Sequence, residues 1–140
     1  MDEACPCGRT GTFGASAYLQ CCGRYLEPDS RQYLQAPDAE HLMRSRYTAH
    51  TRARTDGASD YLLATWAPSH RPASLELDPD VTWLGLQVLA YQPDGDRAQV
   101  EFVARFREGG LGAGQGPVRQ LHERSRFVRL DGRWLYLDGT

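Results

Sequence analysis

The 140-residue sequence contains no lysine, no isoleucine and no asparagine. All sixteen basic residues are therefore arginines, as expected from a GC-rich genome, because the three absent residues use AT-rich codons. Without lysine, the chain cannot form a Schiff base or use the lysine of a phosphate-binding loop. Its guanidinium groups can instead hold carboxylates or phosphates through a planar fork of N–H donors.

Long apolar segments are also absent. No run approaches the ~18 residues that a membrane-spanning helix needs, and the start of the chain lacks the basic and apolar regions of a signal peptide. We therefore expect a cytoplasmic protein with no membrane partner, in a compartment that keeps thiols reduced. A net charge of −2 argues against sequence-specific DNA binding, since nucleic-acid binders usually carry a basic surface.

Cysteine is missing after residue 22, so no thiol elsewhere can act as a nucleophile. The four cysteines form two pairs separated by thirteen residues: Cys5, Cys7, Cys21 and Cys22. Four thiolates are a complete tetrahedral ligand set for Zn²⁺ and leave no open position, which predicts a structural zinc ion rather than a catalytic one. Arg9 and Arg24 follow the two pairs and are placed to offset the negative charge of such a site.

Three alternatives compete with structural zinc. Two disulfides would need an oxidising compartment, which nothing in the sequence suggests. A redox-active dithiol more often has the spacing Cys-x-x-Cys beside a strand and a helix. Four unrelated thiols would rarely gather at one end of a chain.

The remainder of the chain changes from helical to alternating patterns. Asp38 is a plausible cap for a helix over residues 39–50 and somewhat beyond, and Gly57 is expected to end this helix. Ser59 is a plausible cap for a second, short helix over residues 60–66. Strands are predicted in four segments, at residues 81–91, 97–107, 121–130 and 133–138. The glycine-rich segment over residues 109–116 lies between two strands, so we interpret it as a flexible connection and not a phosphate site.

Turn signals join these strands. Residues 93–96 read as a turn, and Asp131-Gly132 is a strong hairpin signal. Helices followed by an antiparallel sheet predict an α+β architecture. We expect a zinc motif at residues 1–26, hereafter the knuckle, and an α+β domain at residues 27–140.

Two resemblances extend this reading. The CPCG and CCG sequences resemble the SEC-C zinc motif, also seen in the translocase motor SecA, although its last ligand is often histidine and its loop is shorter. The strings HLMRSRY, DYLLATW, WLGL, FVARF, ERSRF and a terminal WLYLDGT resemble, in order, the YchJ-like family of bacterial proteins. This resemblance implies a nuclear-transport-factor-two-like (cystatin-like) fold, a cone of curved antiparallel sheet packed on helices.

A cone of this kind usually has its site at the mouth, between helix and sheet. The residues that we expect to line it are Arg44, Arg46, Tyr47, Trp66, His70, Arg105, Glu123 and Ser125, with Arg126 as a further candidate. Arg44 and Arg46 are two positions apart, so at most one faces a pocket, and Arg46 is nearer to the apolar face. Glu123 could pair with Arg105 across neighbouring strands, which would be an ion pair without chemistry.

Three functions remain open. The first is an interaction module whose knuckle contacts a protein or ribosomal partner while the cone binds a peptide or small ligand. The second is a small-molecule enzyme of the hydratase or isomerase type, although no catalytic residues can be assigned. The third is a domain whose zinc only staples the N-terminus. Pairing of two copies through an exposed sheet face is also possible in such cones.

Overall fold

A computed structural model of the chain describes residues 3–11, 14–53, 57–109 and 116–140. Most of the predicted flexible connection over residues 109–116 lies outside these ranges. None of the helices in these ranges combines the length and the apolar character needed to cross a membrane.

Short elements at the N-terminus precede the longer helices and strands. In chain order the elements are β1 (Thr10–Gly11), β2 (Gly14–Ala15), α1 (Gly23–Leu26), α2 (Ala39–Thr51), α3 (Ala58–Ala64), β3 (Val81–Asp94), β4 (Arg97–Glu108), β5 (Arg119–Leu130) and β6 (Arg133–Gly139). A single 3₁₀ turn over Tyr18–Gln20 separates β2 from α1. This order confirms the predicted α+β architecture.

The last four strands form one antiparallel sheet in the order β3-β4-β5-β6, so each strand pairs with its neighbour in the sequence. The turn between β5 and β6 holds Asp131 at φ 52° and Gly132 at φ 80°. Positive φ at both central residues is the geometry that two-residue hairpins prefer, because its twist matches that of the strands. The hairpin predicted from Asp131-Gly132 is therefore confirmed.

Two β-bulges bend β3. The pairing with β4 shifts between Trp83 and Gly85 and again between Val88 and Ala90. The extra residues are Leu84 and Leu89, which are 40% and 47% exposed. A bulge bends its strand and increases the local twist. The sheet therefore curves, and its concave face packs against α2, which contacts β3, β4 and β6.

The capped helix is confirmed as α2, but it ends at Thr51 and not at Gly57, which instead precedes α3. The Asp38 carboxylate accepts a hydrogen bond from the His41 backbone N–H at 2.8 Å and so satisfies one free donor of the first turn. The predicted cap of the second helix is wrong. That helix, α3, already begins at Ala58, after Gly57 at φ 97°, so Ser59 lies inside its first turn.

One buried apolar cluster extends from the knuckle to the sheet. It includes the four cysteines, Leu42 and Met43 of α2, and Val100 and Phe127 of the sheet. The inner face of β4 follows the alternation of a strand, since Ala98, Val100, Phe102 and Ala104 are all buried. The knuckle therefore packs on the same core as the sheet, with α2 between them.

Candidate functional site

The four cysteines converge on one point in the knuckle. Their Sγ atoms all lie within 4.8 Å of one another, and the Sγ atoms of Cys7 and Cys21 are 3.6 Å apart. All four are free thiols, and none is more than 5% exposed. The alternative of two disulfides is therefore wrong, and so is the alternative of four unrelated thiols.

This donor set fits a metal ion. Tetrahedral Zn²⁺ with bonds of about 2.3 Å would hold its thiolates roughly 3.8 Å apart. The separation of 3.6 Å between Cys7 and Cys21 is close to that value. The cluster could hold a metal without a large backbone movement.

Backbone hydrogen bonds bring the two cysteine pairs together. The Cys5 N–H donates to the Ser16 carbonyl at 2.8 Å, and the Ser16 N–H donates to the Arg9 carbonyl at 2.9 Å. These bonds continue the antiparallel pairing of β1 with β2 towards Cys5 and Cys7. After the second pair, a Cβ at Gly23 would lie 2.8 Å from the Tyr18 carbonyl oxygen, so only glycine fits there.

The thiols share their protons unevenly. Contact with the Cys21 thiol lowers the pKa of Cys7 to about 7. Contact with the same thiol raises the pKa of Cys22. Four thiolates held this close repel one another, so complete deprotonation requires a cation that replaces the protons.

Arginines surround the cysteine cluster. Arg24 Nε donates to the Cys21 carbonyl at 3.0 Å, and Arg9 pairs with Glu40 of α2. Arg44 Nη1 donates to the Cys7 carbonyl at 3.0 Å. Arg44 was expected to line the cone, but it lies against the knuckle instead, because two helical positions turn it about 200° away from Arg46. Sequence reasoning missed this supporting role.

A cavity of about 280 Å³ lies between α2 and the concave face of the sheet. Six of its fourteen lining residues are aromatic: Tyr47, Trp66, Trp83, Phe102, Phe127 and Tyr136. Its polar lining comes from Arg46, His50, Glu123 and Ser125. Five residues expected at the mouth of the cone thus lie together here: Arg46, Tyr47, Trp66, Glu123 and Ser125.

The other expected residues lie elsewhere. His70 is in the loop after α3, where its Nε2 is 3.9 Å from the Asp138 carboxylate. Arg105 lies on the convex face of the sheet, and its guanidinium covers Gly85. Arg126 is also on that face and forms two hydrogen bonds with Asp138, at 2.7 and 2.6 Å. Side chains alternate along a strand, so Arg105 and Arg126 point away from the cone, and His70 is not among the residues that line it.

Arg46 forms the cationic end of the cavity. Its Nη1 donates to the Leu62 carbonyl and to the Thr65 hydroxyl, each at 2.7 Å. Its Cζ lies 4.5 Å from the ring centre of Tyr136 and 5.2 Å from that of Trp66. Burial lowers the pKa of Arg46 to about 10, which still leaves the group charged at neutral pH.

Glu123 provides a carboxylate in the cavity wall. Its Oε2 accepts hydrogen bonds from the Ser125 hydroxyl at 2.5 Å and from the Tyr136 hydroxyl at 3.4 Å. The carboxylate packs so closely on Gly139 that a Cβ there would collide with it. The predicted ion pair of Glu123 with Arg105 is wrong, because Glu123 pairs with Phe102 on the inner face while Arg105 faces outwards.

His50 is a cavity residue that sequence reasoning missed. Its ring centre is 5.8 Å from that of Trp83. Burial, helped by the positive charge of Arg46, lowers the pKa of His50 to about 4, so the ring is neutral at pH 7. The available signal was its position four residues after Arg46, which places the two side chains on one helix face.

Comparison with known proteins gives three consistent results. The family model described as YchJ, middle NTF2-like domain, matches residues 38–139. A UPF0225 protein from Polaromonas sp. is 54% identical over 137 residues, covering 96% of this chain and 91% of that protein. A UPF0225 protein from Bordetella parapertussis is 49% identical over 138 residues, covering 97% and 91%.

Two solved structures share the fold. A SEC-C motif containing protein from Rhodopseudomonas palustris superposes with a TM-score of 0.75 at 34% identity, over 99% of this chain and 98% of that one. A second, from Psychrobacter arcticus, gives 0.72 at 28% identity, over 97% and 81%. The family model and both structures confirm the fold that the sequence strings implied.

Proposed function

The chain belongs to the YchJ-like family of UPF0225 proteins, and we propose that it binds a small organic molecule in its cone and a structural zinc ion in its knuckle. The zinc ion fastens the N-terminal segment onto α2. The cavity on the other side of that helix holds the ligand.

The cavity is the observation that carries the ligand-binding role. Small-molecule sites are concave, mostly apolar and furnished with a few convergent polar groups. The aromatic wall with Arg46, His50 and Glu123 has this composition. A shifted pKa, as at His50, is also more frequent at functional sites than elsewhere. A domain whose zinc only stapled the N-terminus would have no need of such a cavity.

The choice of zinc rests on the ligands. Four buried cysteine sulfurs within 4.8 Å of one another favour zinc over harder cations, which prefer oxygen ligands. The two related solved structures are both described as SEC-C motif containing proteins. With all four positions taken by Cys5, Cys7, Cys21 and Cys22, the ion would have a structural role and bind no substrate.

Metal analysis of the purified protein tests the zinc assignment. We expect about one zinc ion per chain, released together with protons at low pH. A protein purified without chelator that holds no zinc, or holds iron in its place, would refute the assignment.

Ligand binding is tested by screening metabolite classes for thermal stabilisation of the zinc-containing chain. Ala104 is 1% exposed and lines the cavity, so Ala104→Phe should fill it and abolish any stabilisation. Leu84→Phe is the matched control, because Leu84 is 40% exposed on the bulged strand. Failure of every metabolite class to stabilise the protein would contradict the ligand-binding role.

Contact of the knuckle with a protein partner has less support. Within the described part of the knuckle, Leu19 is the one exposed large apolar side chain, at 58% exposure. A docking surface would normally present a larger apolar patch. We therefore rank the cavity above the knuckle as the site of function.

An enzyme of the hydratase or isomerase type is the second candidate. The observation that favours it is Glu123, a carboxylate that reaches the cavity and could take a proton from a bound molecule. Glu123→Gln would keep the shape of the side chain and remove the base. If a ligand found by screening is converted, this variant should bind it and turn it over at least about 100-fold more slowly.

A further inference from the structure

In the cavity, part of the buried guanidinium group of Arg46 makes no hydrogen bond to the described residues. Arg46 is 8% exposed, and both hydrogens of its Nη1 are donated to Leu62 and Thr65. Among the described residues, its Nε and Nη2 have no hydrogen-bond partner, and no carboxylate lies within 4.0 Å of it. Burial lowers the pKa of Arg46, and the charge of Glu123 in the same cavity offsets this only in part because it makes no ion pair with Arg46. An anionic ligand would supply the direct partner that the guanidinium lacks.

Neighbouring groups hold this guanidinium in place before any ligand arrives. The Tyr136 and Trp66 rings lie 4.5 and 5.2 Å from its Cζ. The Trp66 indole is itself fixed, because its Nε1 donates to the Leu137 carbonyl at 3.1 Å. A fixed planar fork suits a planar carboxylate, which can accept two parallel hydrogen bonds from it.

The rest of the wall suits a flat apolar body. The Tyr47 and Trp83 rings meet edge to face with centres 5.8 Å apart, and the Phe127 and Tyr136 rings meet in the same way at 5.7 Å. Aromatic rings prefer such offset and edge contacts with one another. The volume of about 280 Å³ is nearly twice that of the ~150 Å³ protein cavity known to hold benzene. One substituted ring would fit.

Glu123 gives the cavity an acceptor as well as a cation. Its Oε2 is occupied by Ser125 and Tyr136, whereas Oε1 accepts no hydrogen bond from the described residues. A hydroxyl or amino group on the ligand could donate to Oε1. A second carboxylate on the ligand would instead be repelled by Glu123.

We propose that the cavity binds an aromatic monocarboxylate with a hydroxyl or amino group on its ring, the carboxylate on Arg46 and the donor group on Glu123. This inference rests on the ligand-binding function proposed above and names its ligand class.

Three probe molecules test the inference on the unaltered protein by calorimetric titration. The first is 4-hydroxybenzoate. The second is 4-hydroxybenzamide, which has the same shape without the charge. The third is terephthalate, which replaces the hydroxyl with a second carboxylate. We expect 4-hydroxybenzoate to bind at least about tenfold more tightly than either of the others, as charge-assisted hydrogen bonds predict.

Variants locate the binding site. Arg46→Gln should weaken 4-hydroxybenzoate binding about 10- to 100-fold. Arg124→Gln, which removes an exposed arginine on the convex face, should leave it unchanged. If Arg46→Gln does not fold, the comparison of acid with amide in the unaltered protein still decides the matter.

Each outcome separates the inference from the broader function. Equal affinity for the acid and the amide, or no binding of 4-hydroxybenzoate, overturns the inference. If another ligand class stabilises the protein and Ala104→Phe abolishes that effect, the ligand-binding function stands without it. If no ligand class stabilises the protein, both fail.

Discussion

The knuckle and the four-stranded sheet differ in how the contacts that hold them together are distributed. The strands of the knuckle have two residues each, and its structure converges on four buried sulfur atoms. The strands of the sheet have 7 to 14 residues, and their buried positions recur along the whole length. The structure of the knuckle is therefore centred on one cluster of side chains, while that of the sheet is shared among many contacts. Single substitutions should affect the two regions differently.

Helix α2 connects these regions with different faces. Arg44 and Thr48 face the knuckle, where the Thr48 hydroxyl is 3.8 Å from the Cys5 Sγ. Arg46 and His50 line the cavity. The helix thus couples a region built around the cysteine cluster with a region that depends on apolar burial.

The largest expected effect is the loss of one sulfur ligand. Cys21→Ser should release most of the zinc and unfold the knuckle, since zinc binding to small zinc domains is worth about 10–16 kcal/mol. Metal content and thermal unfolding measure the change. Leu19→Ser, at an exposed position in the same segment, should alter neither quantity. Full zinc retention by Cys21→Ser would show that the knuckle does not depend on this ligand set.

The next effect concerns the sheet. Phe127 is 1% exposed, so Phe127→Ala should lower the free energy of unfolding by about 3–5 kcal/mol. Zinc content should remain at one per chain, in contrast to the cysteine variant. Leu130→Ala, on the same strand but 45% exposed, should change the stability by less than about 0.5 kcal/mol. A joint loss of zinc and stability in Phe127→Ala would erase the distinction between the regions.

A pH effect of similar size is expected from the cavity. The pKa of His50 is lowered from 6.5 to about 4 by burial, so the unfolded chain binds a proton that the folded chain excludes. Its stabilising contribution is complete above pH 6.5 and is lost as the pH falls to 4, by roughly 3 kcal/mol.

Substitution isolates this contribution. His50→Gln should flatten the stability profile between pH 6.5 and 4 relative to the unaltered protein, as measured by urea unfolding. Because both proteins contain the same thiols, metal loss at low pH cancels in the comparison. His70→Gln, in an exposed loop, should retain the full slope. An unchanged slope in His50→Gln would mean that the ring is solvated in the folded protein.

The smallest expected effect lies where the regions meet. Arg44→Gln removes a donor to the Cys7 carbonyl and should weaken zinc binding about 10- to 100-fold, as groups that orient metal ligands usually do. Competition with a chelator measures it. Arg31→Gln, at an exposed position, is the control. Equal zinc affinity in the two variants would show that α2 does not support the metal site.

The sequence predicted the features that depend on local chemistry. Asp38 capped a helix, and Asp131-Gly132 formed a hairpin, because both effects act within four residues. The cysteine cluster was also predictable, since four thiols in a short segment have few other uses. The spacing of Arg44 and Arg46 correctly implied that only one of them faces the cavity.

The errors came from properties that depend on register. The bulges at Leu84 and Leu89 turn apolar side chains outwards, and nothing local distinguishes them from core residues. The pairing of Glu123 with Arg105 failed because the side of a strand on which a residue lies is fixed by the partner strand. His50 was missed because a histidine gains its role in this cavity from Trp83, 33 positions away in the sequence.

The two bulges of β3 have a consequence beyond curvature. This strand lies at one edge of the sheet, and the described residues place no other strand beside it. A straight edge strand would offer a regular ladder of free N–H and C=O groups to any passing chain. Interruptions at Leu84 and Leu89, with Pro93 near its end, break that ladder into short pieces. The same irregularities that shape the cavity thus guard the fold against strand-by-strand aggregation.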